Sequence, residues 1–305
     1  MECEVKKIHA VVIGGMNMDI CGKPSGAFRM ADSNPGAVSL IPGGVGRNIA
    51  HNLCLLGAEV SLVSAVGNDL YGRSLKSYCD ELGMDTHMVA VLDGCSTSTY
   101  LYVTDAEGDM VVAINDMDIS RRIDPEYLAV HMDEINRADA VVVDANLSAE
   151  AIAFIAENCT APLFADTVSA AKAARLAPLF KKLEGLKPNA MEAHELTGCE
   201  RPEFAARVLL DMGIKRVFIS QGADGMLACS RDESIIQPRV QARVVNTTGA
   251  GDSATAAMVW AIAQGMSLAD CARAAAAAGA ITVASEYTNA PELSSAAVLS
   301  LMAEN

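Results

Sequence analysis

Short apolar runs alternate with segments of helical periodicity through the first two thirds of the chain. The apolar runs predict buried strands of a parallel sheet at 11–14, 60–65, 140–144, 163–166 and 216–220. The segments between them predict helices over 46–57, 70–83, 148–158, 189–197 and 202–213. Because strands that alternate with helices form right-handed crossovers, the pattern indicates an α/β fold with a three-layer, doubly wound, mostly parallel sheet.

Two segments break this alternation. Residues 18–41 and 96–115 carry strand-like, partly alternating patterns with no helix between the strands, as in Ser98-Thr99-Tyr100-Leu101-Tyr102-Val103. The last third of the chain is helical, over 250–264, 267–284 and 294–302. The sequence contains neither a low-complexity linker nor a repeat of 20 to 50 residues, so we expect residues 1–305 to form one domain.

Composition and charge narrow the functional classes. The chain has 305 residues, of which 51% are hydrophobic, and its formal net charge is −15. Such a charge disfavours nucleic acid as a partner, and no apolar run is long enough for a membrane span. Its nine cysteines are odd in number and scattered, without a Cys-x-x-Cys pair, which favours free thiols in a reducing cytoplasm. The first seven residues lack the apolar core of a signal peptide.

The most informative stretch is Asn246-Thr247-Thr248-Gly249-Ala250-Gly251-Asp252, directly before an apolar helical run. Small residues at 249–251 leave the first amides of that helix unobstructed, which is typical of an anion-binding site. Asp252 lies in the first turn and could remove a hydroxyl proton while the amides stabilise a phosphoryl group in transfer. The alternative interpretation is an ordinary helix start with a favourably placed Asp.

Two further glycine clusters precede it in the chain: Gly14-Gly15-Met16-Asn17-Met18-Asp19 after the first strand, and Pro42-Gly43-Gly44-Val45-Gly46-Arg47-Asn48 before a helix. Together with the Gly-Ala-Gly-Asp turn, these marks resemble the ribokinase-like sugar kinases of the PfkB family across essentially the whole chain. The stretches at 31–36, 43–50, 113–117 and 286–289 resemble in particular the pseudouridine kinase subgroup. The resemblance implies an ATP-dependent kinase, a small β-sheet lid built from 18–41 and 96–115, and a homodimer formed through that lid.

The predicted substrate residues lie after strands or in the lid segments. Because ligands gather at the carboxyl ends of strands in open α/β sheets, this placement is consistent with a binding site. Asn17 and Asp19 suit vicinal hydroxyls, although they could form an ordinary polar turn. The resemblance implies ribose contacts at Asn17, Asp19, Gly43, Gly44 and Asn48. Base recognition is expected from Ser33, Thr97 and Asn115, which could equally be structural polar residues. The resemblance also implies that Lys172 lies near the substrate, although Thr167 and Ala171 depart from the subgroup there.

The predicted nucleotide residues follow in the second half of the chain: Lys187, Asn189, Ser220, Gly222, Gly225, Thr248, Gly249 and Gly251. Asn189 and Glu192 lie three apart at a helix start, where the resemblance implies Mg²⁺ held through water; the alternative is a capping box. The alanine run 274–280 predicts either close helix packing or room for adenine. Asn246, Thr248 and Ser285 could form a K⁺ loop, a dependence in which family members differ.

Other nucleotide-binding classes do not fit. The chain has no Gly-x-x-x-x-Gly-Lys-Ser/Thr motif, and Ile49 stands where a dinucleotide fingerprint requires glycine. The resemblance to the PfkB family implies transfer of the γ-phosphoryl group of ATP to the 5′-hydroxyl of a nucleoside, with pseudouridine first. The catalytic group comprises Asp252 as base and the amides of Gly249, Ala250 and Gly251. Ribose, inosine, uridine or a hexose phosphate remain alternative acceptors, and a sugar-binding regulator without activity is a rival of another class.

Overall fold

The structure is a computed structural model that describes residues 6–304. Within that range the strands are β1 His9–Ile13, β2 Asn17–Pro24, β3 Gly36–Gly43, β4 Glu59–Gly67, β5 Val89–Leu92, β6 Thr99–Thr104, β7 Met110–Asp116, β8 Ala140–Asp144, β9 Leu163–Asp166, β10 Leu183–Leu186, β11 Val217–Ser220, β12 Met226–Cys229 and β13 Ser234–Gln237. The α-helices are α1 Val45–Leu55, α2 Leu70–Glu81, α3 Pro125–Ile135, α4 Ala149–Asn158, α5 Ala170–Ala173, α6 Ala190–Thr197, α7 Pro202–Asp211, α8 Ala250–Ala263, α9 Leu268–Val283 and α10 Ser295–Glu304.

Within residues 6–304, nine strands form the main sheet in the order β13-β12-β11-β10-β9-β8-β1-β4-β5. The strands from β11 to β5 pair in parallel, and β12 and β13 extend the β11 edge with antiparallel pairs. At the centre, Val12 pairs with Leu62 on one side and Val142 on the other. Because strand side chains alternate between faces, β1 contributes Ala10 and Val12 to one core and Val11 and Ile13 to the other.

Helices cover both faces of this sheet. One core joins the sheet to α1, α2, α8, α9 and α10, and Trp260 of α8 is almost fully buried in it. The opposite core joins the sheet to α3, α4, α6, α7 and the 3₁₀ segment Ala174–Lys182. Two buried faces explain why the central strands read as continuous apolar runs.

A second sheet of four strands, in the order β3-β2-β6-β7, stands apart from the main sheet within the described residues. Its two faces differ in chemistry. One cross-strand row places Asp19 beside Tyr100, which pairs in turn with Asn115. The next row, on the other face, is apolar, with Leu40, Ile20, Leu101 and Ile114 in register.

The helix starts differ in how they are capped. Side-chain oxygens cap α2, α3, α4, α6 and α9, the caps being Asp69, Asp124, Ser148, Asn189 and Ser267. Two helices, α1 and α8, begin instead at glycines with positive φ, Gly44 at 97° and Gly249 at 83°, and neither has a side-chain cap. Both lie at the carboxyl edge of the sheet, where the predicted motifs converge.

The predicted three-layer α/β fold with a small β-sheet lid is confirmed. The predicted strands and helices correspond to β1, β4, β8, β9 and β11 and to α1, α2, α4, α6, α7, α8, α9 and α10. The pattern missed α3, β10 and the 3₁₀ segment that precedes β10. Of the nine cysteines, Cys3 lies outside the described residues, and the eight within residues 6–304 are free thiols. None of the helices in that range is long and apolar enough to cross a membrane.

Candidate active site

Two cavities meet at the first turn of α8. A cavity of about 440 Å³, here called the lid cavity, lies between the small sheet and the carboxyl ends of β1, β4, β8 and β9. A cavity of about 360 Å³, here called the helix cavity, lies between β11, β12, α8 and α9. Asp252 lines the lid cavity, whereas Ala250 and Gly251 line the helix cavity. One helix start therefore presents a carboxylate to one side and small residues to the other.

The surroundings of Asp252 set its acidity. Burial raises the pKa of Asp252 to about 7, and the neighbouring carboxylate of Asp166 adds to this rise. A hydrogen bond from Asn48 Nδ2 to Asp252 Oδ2 at 2.7 Å lowers the same pKa, as do the charges of Lys187 and Arg47. A carboxylate with a pKa near neutrality is suited to accept a hydroxyl proton at physiological pH.

The first amides of α8 are open. Ser253 N–H donates to Gly249 O at 2.9 Å, so the helical hydrogen bonds begin there. Among residues 6–304 no backbone or side-chain acceptor takes the N–H groups of Ala250, Gly251 or Asp252. Gly249 is required at the turn because a Cβ there would lie 2.0 Å from Thr288 O. The first turn thus retains donors and a positive dipole end for an anion.

One part of the lid cavity is built around Asp19. Asn17 Nδ2 donates to Asp19 Oδ1 at 2.6 Å, and burial raises the pKa of Asp19 while this bond and Arg47 lower it. Gly43 leaves space for the carboxylate, since a Cβ at Gly43 would lie 2.6 Å from Asp19 Oδ2. Gly44, Asn17, Asp19 and Asn48 line the cavity; Gly43 lies behind it, supporting Asp19 rather than forming its wall.

Two of the predicted base-recognition residues lie elsewhere. Ser33 is exposed in the turn between β2 and β3 and does not line the lid cavity. Thr97 is buried, and its hydroxyl donates to Asp69 Oδ1 at 2.7 Å and accepts from Gly67 N–H at 3.0 Å. Local structure that a strand pattern does not reveal, a turn at Ser33 and a helix cap at Thr97, places both residues away from the lining of the lid cavity. Asn115 does line the cavity, together with Tyr100.

Lys172 lines the lid cavity and is held there by a chain of hydrogen bonds that the sequence did not indicate. Its Nζ donates to Asn146 Oδ1 at 2.7 Å, and Asn146 Nδ2 donates to Asp144 Oδ2 at 3.1 Å. The same Asp144 oxygen accepts from Gly15 N–H at 2.8 Å and Gly46 N–H at 2.9 Å. Asp144 therefore ties the first glycine turn, the start of α1 and the Asn146–Lys172 pair together.

Val168 closes the cavity beside Lys172 in an unusual backbone conformation. Its φ is 61°, in the left-handed region that β-branched residues rarely enter. The Val168 N–H donates to Asp166 Oδ1 at 2.8 Å, which holds the turn in place. Met117, Ser120 and Ile123 line the same cavity as Val168, and none of the four was predicted to do so, because apolar or small side chains do not by themselves indicate a cavity wall.

The helix cavity gathers most of the predicted nucleotide residues. Its lining includes Lys187, Ser220, Gly222, Gly225 and Gly251. Three of the predicted residues do not line it: Asn189, Thr248 and Gly249. Thr248 lines the lid cavity instead, whereas its neighbour Thr247 lines the helix cavity.

The alanine run of α9 faces both the hydrophobic core and the helix cavity. Ala274, Ala277 and Ala278 are fully buried in the core that includes α8. Ala275, Ala276 and Ala280, with Gly279, line the helix cavity. The absence of bulk on both helix faces allows close packing on one and leaves space for a flat group on the other.

Asn189 and Glu192 form the capping box that was the alternative interpretation. Glu192 N–H donates to Asn189 Oδ1 at 2.9 Å, and Asn189 N–H donates to Glu192 Oε2 at 2.8 Å. Thr167 Oγ1 also donates to Glu192 Oε2, at 2.7 Å. Within residues 6–304 Glu192 Oε1 receives no hydrogen bond, so one carboxylate oxygen remains available to a hydrated cation.

The predicted monovalent-cation residues are brought together only in part. Asn246 Oδ1 accepts from Thr248 N–H at 2.9 Å, and Asn246 Nδ2 donates to Glu286 O at 3.3 Å. Ser285 precedes that carbonyl, and its Oγ accepts from Tyr287 N–H at 3.3 Å. The two segments therefore lie side by side below the α8 turn, with several oxygens in one loop.

Comparison with known proteins agrees with this arrangement. The chain belongs to the pfkB family of carbohydrate kinases, whose sequence profile matches residues 7–295. It is 40% identical to the pseudouridine kinase of Escherichia coli K12 over 304 residues, covering 97% of each chain.

Solved structures show the same fold. A carbohydrate kinase from Agrobacterium tumefaciens superposes with a TM-score of 0.86 at 28% identity, covering 98% of this chain and 97% of the other. A ribokinase from Arabidopsis thaliana, solved with ribose and ATP, superposes with a TM-score of 0.85 at 23% identity, covering 97% and 99%. The predicted family and the predicted enzyme class, a phosphotransferase acting on an alcohol group, are confirmed.

Proposed function

We propose that this protein transfers the γ-phosphoryl group of ATP to the 5′-hydroxyl of a nucleoside, with pseudouridine as its preferred acceptor. The observation that carries the proposal is the first turn of α8, which lies between the two cavities with Asp252 facing one and Gly251 the other. The 40% identity to a pseudouridine kinase supports the choice of nucleoside.

The chemistry follows from this placement. A nucleoside in the lid cavity has its 2′- and 3′-hydroxyls near Asn17 and Asp19 and its 5′-hydroxyl near Asp252. Ionised Asp252 takes the hydroxyl proton as the oxygen attacks the γ-phosphorus, and the bond to the ADP oxygen breaks. The open amides of Ala250 and Gly251 and the Lys187 ammonium stabilise charge on the transferred group. Closure of the small sheet excludes water, which would otherwise compete as acceptor.

Asn189 and Glu192 are the residues that would hold Mg²⁺, through water. The unused Oε1 of Glu192 fits an oxygen-seeking, hydrated cation. When bound with ATP, Mg²⁺ neutralises negative charge on the phosphate oxygens. Asn246, Thr248 and Ser285 are the residues that we assign to a monovalent cation below the anion site, and replacing K⁺ by a large organic cation in the assay tests that assignment.

Discrimination among nucleosides is assigned to the lid cavity. Pseudouridine carries a ring N–H where uridine has a C–H, so an acceptor placed there is left unpaired by uridine. Asn115 offers such an acceptor, since its carboxamide makes no hydrogen bond among residues 6–304 and lines the cavity. Lys172 and Asn146 supply further polar groups.

The test is ADP release at saturating ATP and Mg²⁺ with pseudouridine, uridine, inosine and ribose as acceptors. We expect kcat/KM for pseudouridine to exceed that for uridine by at least about 10²-fold, with a 5′-monophosphate as product. Asn115→Ala is expected to reduce this preference without changing the KM for ATP. A preference for ribose would establish another kinase of the same family, and no release with any acceptor would favour a sugar-binding regulator.

Hexose phosphates are poor candidates because the cavity lacks a free cationic clamp for a second phosphate. Arg29 is exposed in the turn between β2 and β3, and Arg47 is buried with its donors already used. Lys172 keeps its charge and donates one hydrogen bond to Asn146, but no second cation stands beside it among the described residues that line the lid cavity. A neutral acceptor fits this lining better.

We also propose a homodimer formed through the apolar face of the small sheet. Leu40, Leu101 and Ile114 lie in one cross-strand row and are 53%, 40% and 65% exposed. Val38 and Val112 lie in the next row on the same face. Leu40→Glu combined with Ile114→Glu is expected to yield monomers in sedimentation experiments. A cytoplasmic setting is part of the proposal, since the eight described cysteines are free thiols.

A further inference from the structure

Arg47 is a charged residue to which the proposed chemistry gives no direct role. It lies in the first turn of α1 and is only 1% exposed. Among residues 6–304 no carboxylate lies within ion-pairing distance of its guanidinium. Burying a cation without an ionic partner is costly, so its position calls for an explanation beyond packing.

Neutral acceptors surround the guanidinium. Nε donates to Gly43 O at 3.3 Å, and Nη1 donates to Asn289 Oδ1 at 2.9 Å. Nη1 also lies 3.4 Å from His51 Nδ1, and burial, aided by Arg47, lowers the pKa of His51 to about 4, so this histidine is neutral and accepts. Nη2 donates to Asn48 Oδ1 and to Pro42 O.

The contact with Asn48 determines which way that carboxamide points. Guanidinium groups only donate, so the Asn48 oxygen faces Arg47 and the Asn48 amino group faces Asp252, to which it donates at 2.7 Å. The reverse orientation would place two donors against each other at Arg47 and two acceptors against each other at Asp252. Arg47 therefore selects the orientation that stabilises ionised Asp252.

Asn289 holds this assembly from the other side. Its Nδ2 donates to Asn48 O and to Asn52 Oδ1, both at 3.0 Å, while its Oδ1 accepts from Arg47. The preceding residue, Thr288, is the one whose carbonyl lies against Gly249. One short segment thus contacts both glycine-initiated helices.

We propose that Arg47 is a positioning residue that acts on Asp252 through Asn48, fixing the carboxamide that keeps the base ionised. This inference rests on the proposed function, because it gives Asp252 the role of general base. Its site is separate from the substrate contacts, since Arg47 lines neither cavity.

Charge supports the same conclusion. Asp252 is faced by the carboxylate of Asp166, the ammonium of Lys187, the Asn48 carboxamide and the Arg47 cation. Removing Arg47 deletes one of the two cations in this set, and the Asn48 carboxamide is then no longer held in one orientation. Both changes raise the pKa of Asp252, so the acidic limb of the rate profile moves to higher pH.

The experiment is a double-mutant cycle with Arg47→Met, Asn48→Ala and the combined variant, assayed for kcat at saturating ATP and nucleoside. We expect Arg47→Met to lower kcat about 10- to 100-fold, to shift the acidic limb upward and to leave the KM for ATP unchanged. Because Arg47 acts through Asn48, the combined variant should be within about threefold of Asn48→Ala alone. Losses that multiply, or an Arg47→Met variant with wild-type kcat and pH profile, would overturn the inference.

Two further variants keep the outcomes distinct. If Arg47→Met does not fold, Arg47→Lys replaces it in the cycle; it keeps the charge but loses the planar fork, and it should still be non-additive with Asn48→Ala. Asp252→Asn is measured in parallel. Near-normal transfer by Asp252→Asn removes the proposed base, whereas an inactive Asp252→Asn with an additive Arg47 cycle removes only the role of Arg47.

Discussion

The first turns of helices α1 and α8 have similar backbone geometry but different chemistry. Each follows a glycine-rich stretch, starts at a glycine with positive φ and lacks a side-chain cap. At α1 the Gly46 N–H is taken by Asp144 Oδ2, and the Arg47 N–H by Gly15 O at 3.1 Å. At α8 the corresponding N–H groups have no acceptor among residues 6–304.

The difference shows that a glycine cluster before a helix does not by itself identify an anion site. Internal acceptors decide the matter: Asp144 takes the Gly46 N–H and Gly15 O takes the Arg47 N–H, so the start of α1 is a structural joint. With no such carboxylate in contact, α8 keeps its donors for a ligand. Variants at the two helix starts test whether the start of α1 is structural and the start of α8 binds an anion.

The largest expected effect comes from removing the base. Asp252→Asn keeps the size and one hydrogen-bonding oxygen of the side chain but removes the group that accepts the hydroxyl proton. We expect kcat to fall by about 10²–10⁴-fold, with nucleoside binding and folding retained. Steady-state kinetics with calorimetric titration of the nucleoside measure both quantities, and turnover near the wild-type value would exclude Asp252 as base.

Closing the anion site should have the next largest effect. In Gly249→Ala the new Cβ meets Thr288 O at 2.0 Å, so the turn must move and the amides lose their alignment. We expect a loss of about 10²-fold in kcat, as for loss of an oxyanion donor. Gly57→Ala is the matched control, because Gly57 has a similar φ of 89° with nothing within 4 Å of a new Cβ. If both variants lose stability but neither loses turnover, the open amides are not part of catalysis.

The pH dependence of the reaction rate gives a third test. Burial raises the pKa of Asp252 to about 7, and the base acts only when ionised, so activity is gained as pH rises through that value and lost as pH falls below it. Well below the limb, kcat/KM should drop about tenfold per pH unit. Rates measured from pH 5 to 9 at constant ionic strength reveal the limb, and a profile flat across pH 6–8 would contradict the assignment.

The smallest effect on turnover is expected at the structural joint. Asp144→Asn can keep its oxygen toward the amides of Gly15 and Gly46, but its amino group then stands against the Asn146 N–H, which in the native protein donates to Asp144 Oδ1 at 2.9 Å. A buried donor is left unsatisfied. We expect a loss of about 1–3 kcal/mol in unfolding free energy, with a severalfold higher nucleoside KM. Denaturant unfolding and steady-state kinetics measure these two effects. A kcat loss as large as that of Gly249→Ala would show that the start of α1 contributes to catalysis as much as the start of α8.

Periodicity was sufficient for most of the architecture. The central strands are apolar throughout because both faces are covered, and α8 begins where the turn at 246–252 predicts. By contrast, β10 was missed because Glu184 and Gly185 interrupt a four-residue strand. The segment 174–182 contains Pro178 and follows a 3₁₀ path, so it has no α-helical period to detect.

What the sequence could not predict at the candidate site has a different cause. Asp144 contacts Gly46 across 98 residues of sequence, and Arg47 contacts Asn289 across 242. No local pattern reveals such pairings, so the sequence marked Asn48 and Asp252 but not the residues that orient them. Thr97 shows the converse, a polar residue in a suitable segment whose hydroxyl serves a helix cap.

The left-handed backbone of Val168 has a consequence for engineering this enzyme toward heat resistance. A β-branched residue at φ 61° costs about 1–3 kcal/mol relative to a relaxed conformation. Glycine would relieve that cost and also remove part of the wall of the lid cavity. Because Val168 also packs against the hydrophobic core, glycine exchanges one energetic cost for another. Selection for heat resistance alone therefore gains little at this position, and it risks a weaker hold on the acceptor.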